Sequence, residues 1–142
     1  MTEIPTSVRQ YEQTTTQRGT GLTRERSLPS WFQICSEQLR AASSLPSNWD
    51  SYGGYAANSL SLTHAHNFLL RLANTVGVLQ PTIALNASGY ICFEWETEKW
   101  LMTVEINHRG IAGFYYEEGD YEVEGKDSSG EYKTIIQLLT RQ

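Results

Sequence analysis

Cysteine, histidine and long apolar runs are all scarce in this chain, and each shortage excludes something. Two cysteines in 142 residues, Cys35 and Cys92, supply neither a disulfide framework nor a zinc-ligand pattern. Reduced, buried thiols fit a cytoplasmic protein. No apolar run approaches the ~20 residues of a membrane-spanning helix. Residues 1–30 lack the basic start and apolar middle of a secretory signal. The three histidines do not form a ligand set: His64 and His66 are two apart on a helical stretch and do not share a face, and His108 falls in a turn. The chain has no G-x-S-x-G elbow, no phosphate-cradling glycine loop and no H-E-x-x-H helix. No catalytic residue, metal or cofactor is therefore expected, and secretion, membrane residence and structural zinc are set aside.

Aromatic residues, in contrast, reach 11%, with four Trp and eight Tyr. A chain of this length can close one core without staples, and the aromatic content supplies it. The net charge of -5 is unevenly placed. Residues 1–30 carry four Arg and three Glu, whereas residues 82–132 carry eleven acids against Lys99, Arg109 and Lys126, a local charge of -8. A field of that sign repels phosphate backbones, so direct nucleic-acid binding is not expected, and it attracts basic protein surfaces. A solvated sheet face kept soluble by its charge is the plain alternative.

Residues 1–28 read as a flexible, disordered tail. They are rich in Thr, Gln and Arg and have no apolar period. A single α+β domain is expected over residues 29–142. A short helix starts at Pro29 or Ser30 and carries Trp31, Ile34, Cys35 and Leu39. A loop, 45–58, mixes Gly53 and Gly54 with Trp49, Tyr52 and Tyr55, and Asp50 can bond its own backbone in an Asx-turn. Ser59 or Ser61 then caps a second helix with an apolar stripe of Leu62, Ala65, Phe68, Leu69, Leu72 and Val76, closed by Gly77.

Beyond Pro81 the period changes from 3.6 to 2. Strands are expected at Thr82–Leu85, Tyr90–Glu96, Trp100–Ile106, Ile111–Glu117 and Tyr121–Glu124. The first hairpin is expected to turn at Thr97-Glu98 and to set Trp95 against Trp100, Phe93 against Met102 and Ile91 against Val104. Residues 131–139 suit a helix or a last strand. Two helices on one face of a four- to five-stranded antiparallel meander make a two-layer α+β domain. Its apolar face holds Ile91, Phe93, Trp95, Trp100, Met102, Val104 and Ile106, and its wet face Glu94, Glu96, Glu105, Tyr116 and Glu122.

The run Leu45-Pro46-Ser47-Asn48-Trp49-Asp50-Ser51-Tyr52-Gly53, a capped helix, Gly89-Tyr90-Ile91-Cys92-Phe93-Glu94-Trp95 and Leu101–Ile106 together resemble a widespread group of small, uncharacterised bacterial and phage proteins. Their shared pattern is roughly an L-P-x-x-W-D-G-Y-G-A loop, a helix, a G-x-I-x-L-E-W strand and a strand of the L-x-I-E-I type. The likeness covers about residues 45–125 and departs at Ser51, where Gly is usual, and at Phe93, where Leu is usual. It implies fold and a bacterial or phage origin, and no reaction.

Together these readings point to a non-enzymatic interaction protein of bacterial or phage origin that binds a larger protein, with a basic surface, through its own acidic, tyrosine-rich sheet face, helped by the tail. An antitoxin, an immunity protein or an anti-CRISPR-type phage inhibitor of host defence fits this description. The partner-binding candidates are Glu105, Tyr116, Glu117, Glu118, Asp120, Glu122 and Glu124. A second candidate is a groove between loop and sheet lined by Trp49, Asp50, Tyr52 and Glu94. Its structural counterpart has Trp49 and Tyr52 pinning the loop while Trp95 and Trp100 stack across strands. The rival class is a small hydrolase using Glu94 and Glu105, with Asp50 or His64.

Overall fold

The computed structural model describes residues 27–128 and 130–141, so the expected tail lies outside the described residues except for Ser27 and Leu28. Three helices, α1 (Trp31–Ser43), α2 (Ser59–Ala73) and α3 (Lys133–Thr140), accompany five strands. The strands β1 (Thr82–Leu85), β2 (Ile91–Glu96), β3 (Leu101–Ile106), β4 (Ala112–Glu118) and β5 (Tyr121–Asp127) pair antiparallel in chain order. This is the expected α+β meander, with the chain's last helix in place of the alternative last strand. Among the described residues no helix is long and apolar enough to cross a membrane.

The helices form because apolar side chains recur on one stripe, and that stripe is buried. On α1 it is Cys35, Leu39 and Ala42, while Ile34 stays 49% exposed. On α2 it is Ala65, Phe68, Leu69, Leu72 and Ala73. Asn58, not a serine, caps α2: its side-chain oxygen accepts from the amides of Leu60 (3.0 Å) and Ser61 (3.1 Å). The helix also ends before Gly77. The Asn74 amide nitrogen donates to the Leu70 carbonyl at 2.9 Å and the Thr75 hydroxyl to the Arg71 carbonyl at 2.7 Å, closing the last turn and leaving Val76 outside.

The inner sheet face is the expected one. Ile91, Phe93, Trp95, Trp100, Met102, Val104 and Ile106 are all buried. Phe68 of α2 meets Phe93 edge-on, with ring centroids 4.8 Å apart, and Tyr132 closes over the same ring. The β2–β3 register, however, is two residues away from expectation: Trp95 faces Met102, Phe93 faces Val104 and Ile91 faces Ile106. A slip of two keeps every side chain on its face, so the hydrophobic pattern tolerates either register. The turn decides it. The Thr97 hydroxyl accepts from the amides of Lys99 and Trp100, at 3.1 and 2.9 Å, which moves the reversal to Glu98-Lys99. Trp100 then stacks on Tyr116, with centroids 5.8 Å apart, rather than on Trp95.

Ser61 sits at the first turn of α2 with no exposed surface. Its hydroxyl accepts from the Ile91 amide at 3.0 Å and donates to the Ile106 carbonyl at 2.7 Å. One side chain thus joins the helix to two neighbouring strands. Ser61→Ala leaves both buried backbone groups without this partner and should cost about 1–3 kcal/mol. Exposed Ser59→Ala should stay within about 0.5 kcal/mol. Urea unfolding of the two variants checks this, and equal midpoints would remove Ser61 from its structural role.

Candidate functional site

The helices cover one sheet face, and the strand period places the remaining side chains on the other. One row across this open face runs Thr82, Glu94, Thr103, Tyr115, Glu124. The next runs Ala84, Cys92, Glu105, Gly113, Lys126, and a third runs Glu96, Leu101, Glu117, Glu122. Glu94, Glu96, Glu105, Glu117, Glu122 and Glu124 therefore share a face with Lys126 as the single base in these rows.

A shallow concavity of about 470 Å³ lies at its centre, with Cys92, Glu94, Glu105, Tyr115, Glu124 and Lys126 around it. Gly113 forms part of its floor: a Cβ there would touch nothing within 4 Å, so the missing side chain opens the depression between Glu105 and Lys126.

Two of the carboxylates are held in place. The Asn86 amide nitrogen donates to Glu105 Oε2. The Tyr115 hydroxyl donates to Glu117 Oε1 at 2.7 Å, and this bond, with lesser contributions from desolvation and the neighbouring carboxylates, pushes the phenol up to about 12. The Cys92 thiol is pushed up to about 11, chiefly by burial and then by the Glu105 and Glu94 carboxylates. It is a protonated thiol at neutral pH and a poor nucleophile.

The sequence-derived partner residues divide. Glu105, Glu117, Glu122 and Glu124 lie on the open face. Tyr116 does not: it has no exposed surface and belongs to the core. The strand β4 is in the opposite phase to that expected. Ala112, Phe114 and Tyr116 point inward, and Gly113, Tyr115 and Glu117 point outward. Adjacent tyrosines fit either phase, and burial of Phe114 and Ala112 selects this one.

Glu118 and Asp120 lie at the β4–β5 turn rather than in the rows. Glu118 accepts from the Tyr116 hydroxyl at 2.7 Å and pairs with Arg141 at 3.5 Å, so its carboxylate stabilises the end of α3. The sequence reading missed Asn86, Cys92, Gly113, Tyr115 and Lys126. The alternation of β2 already set Cys92 beside Glu94, and a correct phase for β4 would have found Tyr115 and Gly113.

The second candidate groove is not assembled. Trp49 packs against the helix-side core, and its indole N–H donates to the Tyr55 carbonyl at 3.0 Å. Glu94 is on the opposite face. Tyr52 is 92% exposed and pins nothing.

Asp50 does make the expected Asx-turn, accepting from the amides of Tyr52 (3.0 Å) and Gly54 (2.8 Å). These two bonds hold its carboxyl below the usual range. A Cβ on Gly54 would lie 2.8 Å from the Asp50 carboxylate oxygens, so a side chain there would push that carboxylate out of its turn. Asn48 and Ser51 adopt φ of 64° and 66°, so the loop is strained and clamped by its own side chains. Of the hydrolase set, Glu94 and Glu105 alone share a face, while Asp50 is in this loop and His64 is on α2.

Comparison with protein families, curated proteins and solved structures gives no match.

Two outcomes test this geometry. An Asp whose folded pKa is depressed adds stability above its unfolded value, ~4, and that stability is lost as pH falls through the lower folded value. Wild type should therefore lose more stability than Asp50→Asn on acidification below about pH 4, and should be the more stable of the two at pH 7. Parallel stability–pH curves would contradict the clamp. Alkylation of Cys92 at pH 8 should run on the order of a hundredfold slower than that of a free cysteine, because so little thiolate is present. Glu105→Gln should speed it, and an ordinary rate in the wild-type protein would contradict the charge environment described.

Proposed function

We propose that this chain is a non-enzymatic interaction protein whose open sheet face binds a basic surface on a larger protein. The observation that carries the reading is the sign of that face. Six carboxylates and one ammonium group lie in three adjacent rows on four strands, β2 to β5. Solubility needs a modest net charge with both signs interspersed, and a large field of one sign goes beyond that need. Concentrated negative charge has a use when an oppositely charged surface arrives: it steers the encounter and rejects acidic competitors.

The local chemistry supports binding over turnover. Glu105 and Glu117 are engaged by Asn86 and Tyr115, and the nearby thiol is protonated. An antitoxin, an immunity protein or a phage inhibitor of host defence would use such a face against a target whose own basic surface holds nucleic acid.

The test is charge reversal at exposed positions that do not hold the fold. Glu118 is unsuitable because it supports Arg141 and Tyr116. Glu94→Lys, Glu122→Lys and Glu124→Lys together should leave circular dichroism unchanged, each exposed change staying within about 0.5 kcal/mol. A partner retained by wild-type protein at low salt should be released as salt is raised, and the triple variant should fail to retain it. Undiminished retention by the folded triple variant would overturn the reading.

A further inference from the structure

The two edges of the sheet are finished differently. The edge at β1 is closed: α1 packs against it, the Gln38 side-chain oxygen accepts the Ile83 amide at 2.9 Å, and the Cys35 thiol donates to the Pro81 carbonyl at 3.5 Å. Among the described residues the edge at β5 is not closed in this way. Five of its seven residues are exposed. Its neighbour α3 is tied through groups on the helix side: the Ile135 amide donates to Asp127 Oδ2 at 2.8 Å, and the Arg141 guanidinium lies 4.5 Å from the Tyr121 ring centroid. A free edge strand of this length is a template for another strand.

We infer that the β5 edge takes up an extended, lysine- or arginine-bearing segment of the partner as a sixth strand, its alternate side chains lying on the acidic face. The inference rests on the acidic-face reading and names the form the partner takes. Charge chooses this occupant over a second copy of the chain. Residues 117–127 hold six acids, Glu117, Glu118, Asp120, Glu122, Glu124 and Asp127, against Lys126 alone. Full antiparallel overlap of β5 with its own copy sets Glu124 against the copy's Glu124 and Glu122 against the copy's Lys126, and it brings together two segments that each carry six acids against one base, so repulsion outweighs the Glu122–Lys126 pairs.

A basic strand reverses that sign. Side chains on one face of a strand recur every second residue, matching the spacing of Glu122 and Glu124 on β5 and reaching Tyr115 and Glu117 on β4 behind them. Main-chain bonds along the edge then supply affinity, and the carboxylates supply selection, as in other strand-addition complexes.

The probe is a nine-residue synthetic peptide alternating lysine with valine, compared with its glutamate counterpart, added to the full-length protein labelled for NMR. The lysine peptide should slow hydrogen exchange at least tenfold at alternate β5 amides between Tyr121 and Asp127. The glutamate peptide should not. Glu122→Lys with Glu124→Lys should weaken the lysine peptide at least tenfold. Shifts at Glu94, Glu105 and Tyr115 without new protection in β5 would overturn edge docking and leave the acidic-face reading standing. Equal protection by both peptides would overturn the charge selection. No response to the lysine peptide anywhere would overturn both readings together.

Discussion

The buried hydroxyl of Ser61 is the point on which the arrangement turns. A serine in the first turn of a helix ordinarily serves that helix, by capping it or bonding its own backbone. Here the hydroxyl leaves that task to Asn58 and links the Ile91 amide to the Ile106 carbonyl. It fixes how far α2 slides along the sheet, because a one-turn shift would withdraw the hydroxyl placed between those two groups. The same corner is fastened twice more. The Asn58 amide donates to the Gly89 carbonyl at 2.8 Å, and the Tyr55 amide to the Ala87 carbonyl at 3.0 Å. Gly89 is required there: its φ is +85°, and a Cβ would lie 2.6 Å from the Ala56 carbonyl oxygen. Helix, loop and β1–β2 turn thus share one anchorage, and all of it lies toward the helix layer.

That one-sidedness produces the acidic face. An antiparallel sheet can bury one face and leave the other in water, so half of its strand positions are released from packing. The released positions carry Glu94, Glu96, Glu105, Glu117, Glu122 and Glu124 beside Thr103 and Tyr115. Their fields add because neighbours within a row are one strand spacing apart, about 4.8 Å, and successive rows are two residues along the strand, about 6.8 Å. Mutual repulsion opposes this crowding, and the sheet beneath tolerates it because Phe93, Met102, Val104 and Tyr116 on the same strands are fully or almost fully buried. The stability of the core and the charge of the face are separate properties of alternating residues.

The division between the faces is also what made much of the fold legible. Period-two alternation in Ile91–Glu96 and Leu101–Ile106 identifies the strands and their inner face without reference to a partner strand. It cannot identify the register, since a slip of two residues preserves alternation, and the Thr97 hydroxyl settles the matter through a turn bond that no hydrophobic pattern encodes. Nor does it fix the phase of β4, where Phe114, Tyr115 and Tyr116 run together and either tyrosine is a plausible core residue. The consequence was specific: Tyr116 was expected among the partner-binding residues and lies in the core, whereas Tyr115 faces out. The cap of α2, expected at Ser59 or Ser61 and found at Asn58, is misplaced for a related reason. Asn and Ser are both good caps by residue type, and which residue does the capping depends on the strands that the helix meets.

The acidic face and the strained loop are physically separate. The loop takes its bonds from Asn48, Asp50 and the Trp49 indole, and its strain is contained within those groups. The face takes its shape from β2 to β5. Asn86 is where they approach. Its side-chain oxygen accepts from the amides of Ser88 (2.9 Å) and Tyr90 (3.0 Å), which holds the turn that receives the loop. Its side-chain nitrogen donates to Glu105 and, at 3.6 Å, to the Cys92 sulfur, which fixes a carboxylate on the acidic face. A single amide therefore couples the position of the loop to the orientation of Glu105. Aspartate at this position could keep the bonds to the turn, since it retains the accepting oxygen. It would set a second carboxylate against Glu105, so the two functions of Asn86 require an amide that offers an acceptor on one side and a donor on the other.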